Sequence, residues 1–324
     1  MIIIVIRGLL MKLHIKSLAL VALLTIFSSQ AHAAAVSLEL MLMIDVSNSI
    51  DAGEFVTQRS GYSSAFRNAD IQNTISALPQ GMAVSVGFFA TNAFEPMPAI
   101  NWRMINDAAG ANQLADEIDT LMDPDFEGTD DGKTNIAAAV EYGKDEFENN
   151  GFTGTKKIID VSSDGIQNVT KEGGALASCD AMLPSCIPDG GSLIETESDA
   201  AAGLGITVNA IFISGAEDLE GIGEALDALY DMDLLPPEFL EGGENDIGPT
   251  PIDTTGAFEE YYERYVKTDD GFVLSSDFDG FEVAIAEKLQ REIASAVPVP
   301  AAVWLFASAL VGLVAKARIK RTTA

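Results

Sequence analysis

Five oxygen-bearing side chains stand where a hard cation would find ligands. Asp45-Val46-Ser47-Asn48-Ser49 follows directly on the apolar run Leu38–Ile44. Thr134, after Gly132-Lys133, opens a stretch of helical spacing, and Asp164 closes the run Lys157-Ile158-Ile159-Asp160-Val161-Ser162-Ser163. Alternate hydroxyls at Ser47 and Ser49 can turn to one side of a tight loop. Thr134 adds a third hydroxyl, and Asp45 and Asp164 supply charge. Mg²⁺, or Mn²⁺ or Ca²⁺ in its place, takes oxygen ligands, and Mg²⁺ keeps several waters. Hydroxyls are neutral, so two carboxylates leave such a cation short of negative charge and open to a further carboxylate from outside. Taken alone, Asp-x-Ser-x-Ser also suits a helix N-cap, where Ser and Asp are favoured. Thr129 competes with Thr134 for the third hydroxyl. Thr134 is preferred because it can cap the helix that starts near Asn135 while facing the same rim.

Other chemistries lose their residues. The two histidines, His14 and His32, both lie in the N-terminal segment. Once that segment is removed, Ser-His-Asp and Cys-His nucleophile pairs and His-ligated zinc all disappear. Two cysteines, Cys179 and Cys186, are too few for a thiolate zinc site. Three of the 19 basic residues precede Ser17 and four follow Ala315, so 12 face all 49 acidic residues in the stretch between, a formal charge of −37. Such a field repels nucleic acid and anionic lipid. Asp123-Pro124-Asp125-Phe126-Glu127-Gly128 begins like a calcium loop, but its twelfth position is Thr134 rather than Glu, so a solvated acidic loop is the better reading.

These residues need strand ends and helix starts to hold them. Leu38–Ile44 is nearly all apolar, as in a strand covered on both faces. Helix is predicted over Phe55–Ala69, Asn112–Met122, Asn135–Phe147, Glu197–Leu204 and Asp277–Ala294. Strand is predicted at Met82–Phe89, Ile100–Trp102, Lys157–Ser162, Thr207–Ile213 and Gly271–Leu274. Strands alternating with helices imply an α/β fold: a doubly wound, mostly parallel sheet flanked by helices, with ligands beyond the carboxyl ends of its strands. Residues 168–193 and 215–256, rich in Gly, Pro and acid, read as insertions in one domain over 36–296. Tyr261, Tyr262, Tyr265 and Phe272 read as an aromatic cluster packed in the core.

The pattern Asp45-x-Ser47-x-Ser49, Thr134 and Asp164 resembles the von Willebrand factor type A domain and its metal-ion-dependent adhesion site. Closer still, the chain resembles an uncharacterised group of exported bacterial members of that fold, through Gln58-Arg59-Ser60-Gly61-Tyr62, Ile159–Gly165 and Lys288-Leu289-Gln290-Arg291-Glu292-Ile293. The resemblance covers residues 37–295. It implies a Rossmann-like fold and a binding module, not an enzyme, that captures an acidic group of a protein or surface polymer through a Mg²⁺ site. Asn48 stands where Gly is common, and Gly132-Lys133-Thr134 replaces Gly-Gly-Thr. Lys133 would weaken the metal field if it pointed inward. Two alternatives are a magnesium-dependent phosphoryl transferase and an acidic matrix protein that binds calcium diffusely. The first would require a second Asp where Ser47 stands.

Both ends read as addresses. Residues 1–33 are expected to be a signal peptide, with Met11 as its start: Lys12 and Lys16, an apolar run Leu18–Phe27, then Ala31-His32-Ala33 before the cut. Residues 297–324 combine Val297-Pro298-Val299-Pro300-Ala301, an apolar stretch 301–315 and four basic residues. This resembles the CTERM-type sorting tails of Gram-negative bacteria in their Val-Pro-Leu-Pro-Ala variant, with Val299 for Leu. The resemblance implies an exosortase-like sorting enzyme as a partner, passage through the inner membrane by way of 301–315, and delivery to the cell surface or medium. The alternative is a plain membrane anchor. A chain exported to an oxidising compartment is expected to bridge Cys179 to Cys186. Closing so short a loop contributes roughly 2.5 kcal/mol in the loop-entropy model.

Overall fold

The computed structural model describes residues 33–91, 98–122, 124, 132–176, 186–214 and 254–298. The chain divides into two units, Met1–Ala34 and Ala35–Ala324, and all but two residues of the first lie outside that description. Residues 1–32 of the expected signal peptide and the tail beyond Pro298 therefore fall outside it, as do Cys179, Thr129, Asp123 and 125–131, and 215–253. No helix among the described residues is long and apolar enough to cross a membrane.

Among the described residues six strands form one sheet in the order β3-β2-β1-β4-β5-β6. They are β1 (Ala34–Asp45), β2 (Met82–Phe89), β3 (Pro98–Ile105), β4 (Phe152–Ser163), β5 (Ile206–Ser214) and β6 (Val273–Asp277). β1 runs parallel to β2, with Leu38 opposite Met82 and Asp45 opposite Phe89. β4, β5 and β6 are parallel as well, and β3 is an antiparallel edge. The doubly wound α/β class expected from the strand–helix alternation is therefore what forms. The order reverses between β1 and β4, and in such sheets the crevice at the reversal is where ligands bind.

Among the described residues seven helices cover the two faces: α1 (Ala52–Arg67), α2 (Ala69–Ala77), α3 (Ala108–Ile118), α4 (Ile136–Asn149), α5 (Cys186–Gly203), α6 (Thr254–Tyr261, continued by a π turn Tyr262–Val266) and α7 (Phe281–Ser295). Leu38, Leu40 and Leu42 of β1 face α1, α3 and α7, with Phe66, Leu114 and Phe281 in the same cluster. Met41 and Met43 face the other way, toward Ile136, Val140 and Tyr262. The period-2 alternation of β1 thus feeds two cores, which is why it reads as a continuous apolar run.

Several elements depart from the sequence reading. The helix expected over Phe55–Ala69 is two helices, because Asn68 adopts an extended conformation and its side chain accepts from the Asp70 amide, capping α2. α3 begins at Ala108, where Asp107 accepts from Gly110 N, and ends four residues short of Met122. β6 starts at Val273, two residues later than expected. The largest difference is α5. It starts at Cys186, inside a stretch expected to be an inserted loop. Its Gly190 and Gly191 do not break it. A Cβ on Gly190 would lie 2.6 Å from the Gln167 carbonyl oxygen, and one on Gly191 2.8 Å from the Tyr265 ring. They are small so that two neighbours can approach the helix. Residues 168–176 are also ordered, with Val169 bridging Ala175. Tyr261, Tyr262 and Tyr265 do pack in the core, but with Phe212 rather than Phe272. Phe272 lies under the Arg291 guanidinium, 3.7 Å from its ring centroid.

Candidate metal centre

β1 ends at Asp45, and the chain turns immediately. The Ser47 amide donates to Asp45 Oδ1 at 2.8 Å, which folds the loop back over the strand end. Asp51 caps α1 together with Glu54, in a reciprocal capping box. The helix start therefore consumes Asp51 and leaves Ser47 and Ser49 for other work. Ser47 Oγ lies 3.1 Å from Ser49 Oγ and 3.2 Å from Thr134 Oγ1, and Ser49 Oγ donates to Asp164 Oδ1 at 2.8 Å. The five residues singled out by spacing thus form one connected set, drawn from the ends of β1 and β4 and the loop before α4.

Thr134 does not cap α4. Asn135 does, accepting from Ala138 N at 3.1 Å. Thr134 is held through its backbone instead. Its amide donates to Asn168 Oδ1 at 3.0 Å, and its carbonyl accepts from Asn168 N at 3.2 Å. Its hydroxyl is left to face Ser47. Two glycines make room. Asn48 N donates to Gly132 O at 2.7 Å, and a Cβ on Gly132 would sit 1.9 Å from Asn48 side-chain atoms. A Cβ on Gly165 would come within 2.8 Å of Thr134 Oγ1. Lys133 is exposed, its amide tied to Thr91 Oγ1, so its charge is not buried among these oxygens.

Asp45 is fully buried, Ser47, Thr134 and Asp164 are buried, and Ser49 and Asn48 are exposed. The cluster therefore opens to solvent on the Ser49 side. Ser163, which spacing did not single out, donates to Asp45 Oδ2. It is the last residue of β4, and nothing in its type separates it from Ser162, which turns to the opposite face and donates to Gln58 Oε1. Asn168 and Tyr262 were also missed. The Tyr262 hydroxyl donates to the Gly165 carbonyl at 2.5 Å and so holds the loop that backs Thr134.

Burial pushes the Asp45 carboxyl up to about 6, with hydrogen bonds from Ser163 and Ser47 pulling the other way. No ion pair neutralises Asp45 among the described residues, and burying an unpaired carboxylate is costly. No group of three His, Cys, Asp or Glu that could hold a metal exists there either. Any ion held at this rim would therefore rely on hydroxyl oxygens. Three hydroxyls beside two carboxylates, with no nitrogen or sulfur, fit a hard cation and do not fit zinc in its usual His and Cys sites.

A family model described as a protein of unknown function, DUF1194, matches residues 35–297. No curated protein matches the sequence. Among solved structures, proximal thread matrix protein 1 from the mussel byssus shares 14% identity at a TM-score of 0.43, over 81% of this chain and 47% of that one. The chain thus spans about half the length of the mussel protein. The vWF domain of the type V pili tip protein Mfa5 from Porphyromonas gingivalis shares 12% identity at 0.44, over 82% of this chain and 97% of that one. The pilus adhesin SpaC from Lactobacillus rhamnosus GG shares 14% at 0.42, over 79% and 30%. All three likenesses are loose.

Proposed function

The chain belongs to the DUF1194 family, and from the oxygen cluster at its sheet reversal we propose that it is an exported, metal-dependent binding module of the von Willebrand factor A type. Asp45, Ser47, Ser49, Thr134 and Asp164 would hold a divalent cation, Mg²⁺ in the first instance. The cation would supply an electrophilic position at the rim for a carboxylate of a protein or surface polymer. The observation that carries this reading is the buried Asp45, which has hydroxyl and amide partners but no counter-charge among the described residues. A cation there neutralises a carboxylate that burial otherwise penalises.

The same residues favour binding over catalysis. A phosphoryl transferase with Asp45 as nucleophile needs an acid two residues on, and Ser47 occupies that place with its hydroxyl turned to Ser49 and Thr134. The domain's acidity keeps anionic polymers away except where a bound cation reverses the local sign. Delivery to the cell surface rests on the two terminal segments, and an exosortase-like enzyme would act at 297–324.

Titration calorimetry with MgCl₂ is the direct test. Wild type should bind one equivalent, and Ser47→Ala and Thr134→Ala should bind far more weakly. Equal binding by all three would mean that the acidic surface holds cations diffusely, as in a matrix protein, and would end the discrete-site reading.

A further inference from the structure

Under the opposite face of β4 lies a second polar centre, which the rim does not use. Lys288 of α7 is fully buried, and so are Asp160 of β4 and, to within 1%, Glu292 of α7. Lys288 Nζ sits 2.6 Å from Asp160 Oδ1 and 2.9 Å from Glu292 Oε1. α1 and β5 close the site. The Tyr62 hydroxyl donates to Asp160 Oδ1 at 3.4 Å, and Asn209 Nδ2 donates to Glu292 Oε1 at 2.9 Å. Asp160 Oδ2 and Glu292 Oε2 are buried without a hydrogen-bond partner, as is Gln58 Nε2. Phe281, Ile285 and Leu289 lie on the same buried face of α7.

We propose that Lys288 and Asp160 condense within the folded domain to a side-chain amide, with Glu292 as the proton-transferring catalytic residue.

The geometry supplies what the reaction needs. The amine and the carboxyl are already in contact, so the step is unimolecular and the entropy of bringing them together is spent in folding. The ion pair is in a dry site, where keeping two charges is expensive and a neutral amide is not. Burial and the neighbouring Asp160 carboxylate push the Glu292 carboxyl up to about 8, against the pull of Lys288, so it carries a proton at neutral pH. Burial likewise keeps the Tyr62 hydroxyl protonated.

The step balances without any outside reagent. The Lys288 ammonium passes a proton to Asp160 Oδ1, the carboxylate oxygen it touches, leaving a neutral amine and a carboxylic acid. The amine lone pair attacks Asp160 Cγ and the C–N bond forms. The charge passes to Oδ2, while Tyr62 keeps its hydrogen bond to the Oδ1 hydroxyl that is to leave. Glu292 gives its proton to the Oδ1 hydroxyl, the Cγ–Oδ1 bond breaks, one water leaves, and Oδ2 becomes the amide oxygen. Glu292 then recovers a proton from the new amide nitrogen. The net change is one ammonium and one carboxylate converted to one amide and one water. The bond would tie α7 to β4 four residues before Asp164.

Mass spectrometry of the denatured full chain decides the matter. Wild type, held folded near pH 7.5, should weigh one water less than its termini require. Proteolysis should release one branched peptide containing both Asp160 and Lys288. Lys288→Met, which keeps the volume apolar, should show the full mass. Glu292→Gln, checked for folding by circular dichroism, should form the link at least a hundredfold more slowly. Wild type at full mass overturns the proposal, whatever the variants do. So does a lost water that maps to any other pair of residues or to Asp160 alone. A normal rate in folded Glu292→Gln overturns the role given to Glu292.

Discussion

Removing the Ser47 hydroxyl separates a ligand from a structural prop. Ser47→Ala deletes two contacts, to Ser49 Oγ at 3.1 Å and to Thr134 Oγ1 at 3.2 Å. It leaves the Ser47 amide on Asp45, because that bond belongs to the backbone. Two hydroxyl contacts contribute about 1–2 kcal/mol net, so the variant should unfold a little earlier in the absence of metal. The response to magnesium should change far more. A ligand at a hundred times its Kd stabilises by about 2.7 kcal/mol. At about 2–4 °C per kcal/mol for a domain of this size, wild type should gain about 5–11 °C. If losing the hydroxyl weakens binding a hundredfold, the same concentration stabilises the variant by only about 0.4 kcal/mol, or about 1–2 °C. Thermal unfolding followed by circular dichroism, with MgCl₂ against chelator, reads both numbers in one series. The reasoning is refuted if wild type gains nothing from saturating magnesium or manganese. It is equally refuted if Ser47→Ala keeps the full gain, since the hydroxyl would then be no ligand.

Three further outcomes follow from the surroundings of the cluster. Gly132→Ala places a Cβ 1.9 Å from Asn48 and should cost about 1–3 kcal/mol by overpacking while also lowering magnesium affinity; urea unfolding and calorimetry on one preparation would show whether the two effects travel together. Tyr262→Phe strips the hydroxyl from the Gly165 carbonyl and should cost about 1–3 kcal/mol in denaturant melts; an unchanged midpoint would mean that the carbonyl finds another partner. The third concerns pH. While Lys288 and Asp160 remain an ion pair, Glu292 holds its proton up to about 8 in the folded chain, whereas an unfolded Glu releases it near 4.5, so the unfolded state binds fewer protons between those values. Stability should therefore fall as pH rises through that window and level off above it. Glu292→Gln should flatten this slope, and a slope of wild-type size in the variant would assign the effect to another group.

The rim was legible because its residues are fixed by the ends of regular elements. A strand of the β1 type announces its own end, and the two residues of the Asp-x-Ser-x-Ser loop that matter sit within four of Asp45. Asp164 was found the same way, one residue past β4. What spacing could not supply is the packing that aims these groups. Ser163 and Ser162 are neighbours of the same type, and only the pleat sends one to Asp45 and the other to Gln58. The clasp of Asn168 on Thr134 and the reach of Tyr262 to Gly165 depend on tertiary contacts with no local pattern. The start of α5 was misread for a related reason. Gly190 and Gly191 look like a break until Gln167 and Tyr265 are seen pressing on them.

The buried triad has a signal in the sequence. Phe281, Ile285, Leu289 and Ile293 set the buried stripe of α7, and Lys288 and Glu292 fall on that same stripe at helical spacing. On β4, Asp160 and Ser162 share the face of Ile158, which points into the α1–α7 core. A charged residue on a core stripe must meet an opposite charge or surrender its own. With Lys288 and Glu292 on one element and Asp160 on the other, the pattern alone pairs α7 with β4. The consequence reaches the rim. Binding sites need their ligating atoms fixed to fractions of an ångström by the elements behind them. Asp160, held from α7, anchors β4 on one face, and Ser163 joins it to Asp45 on the other. Asp164 therefore leaves a strand gripped from both sides within its last four residues. The three hydroxyls beside Asp45 and Asp164 are thus presented by strand ends that are tied from both faces of the sheet.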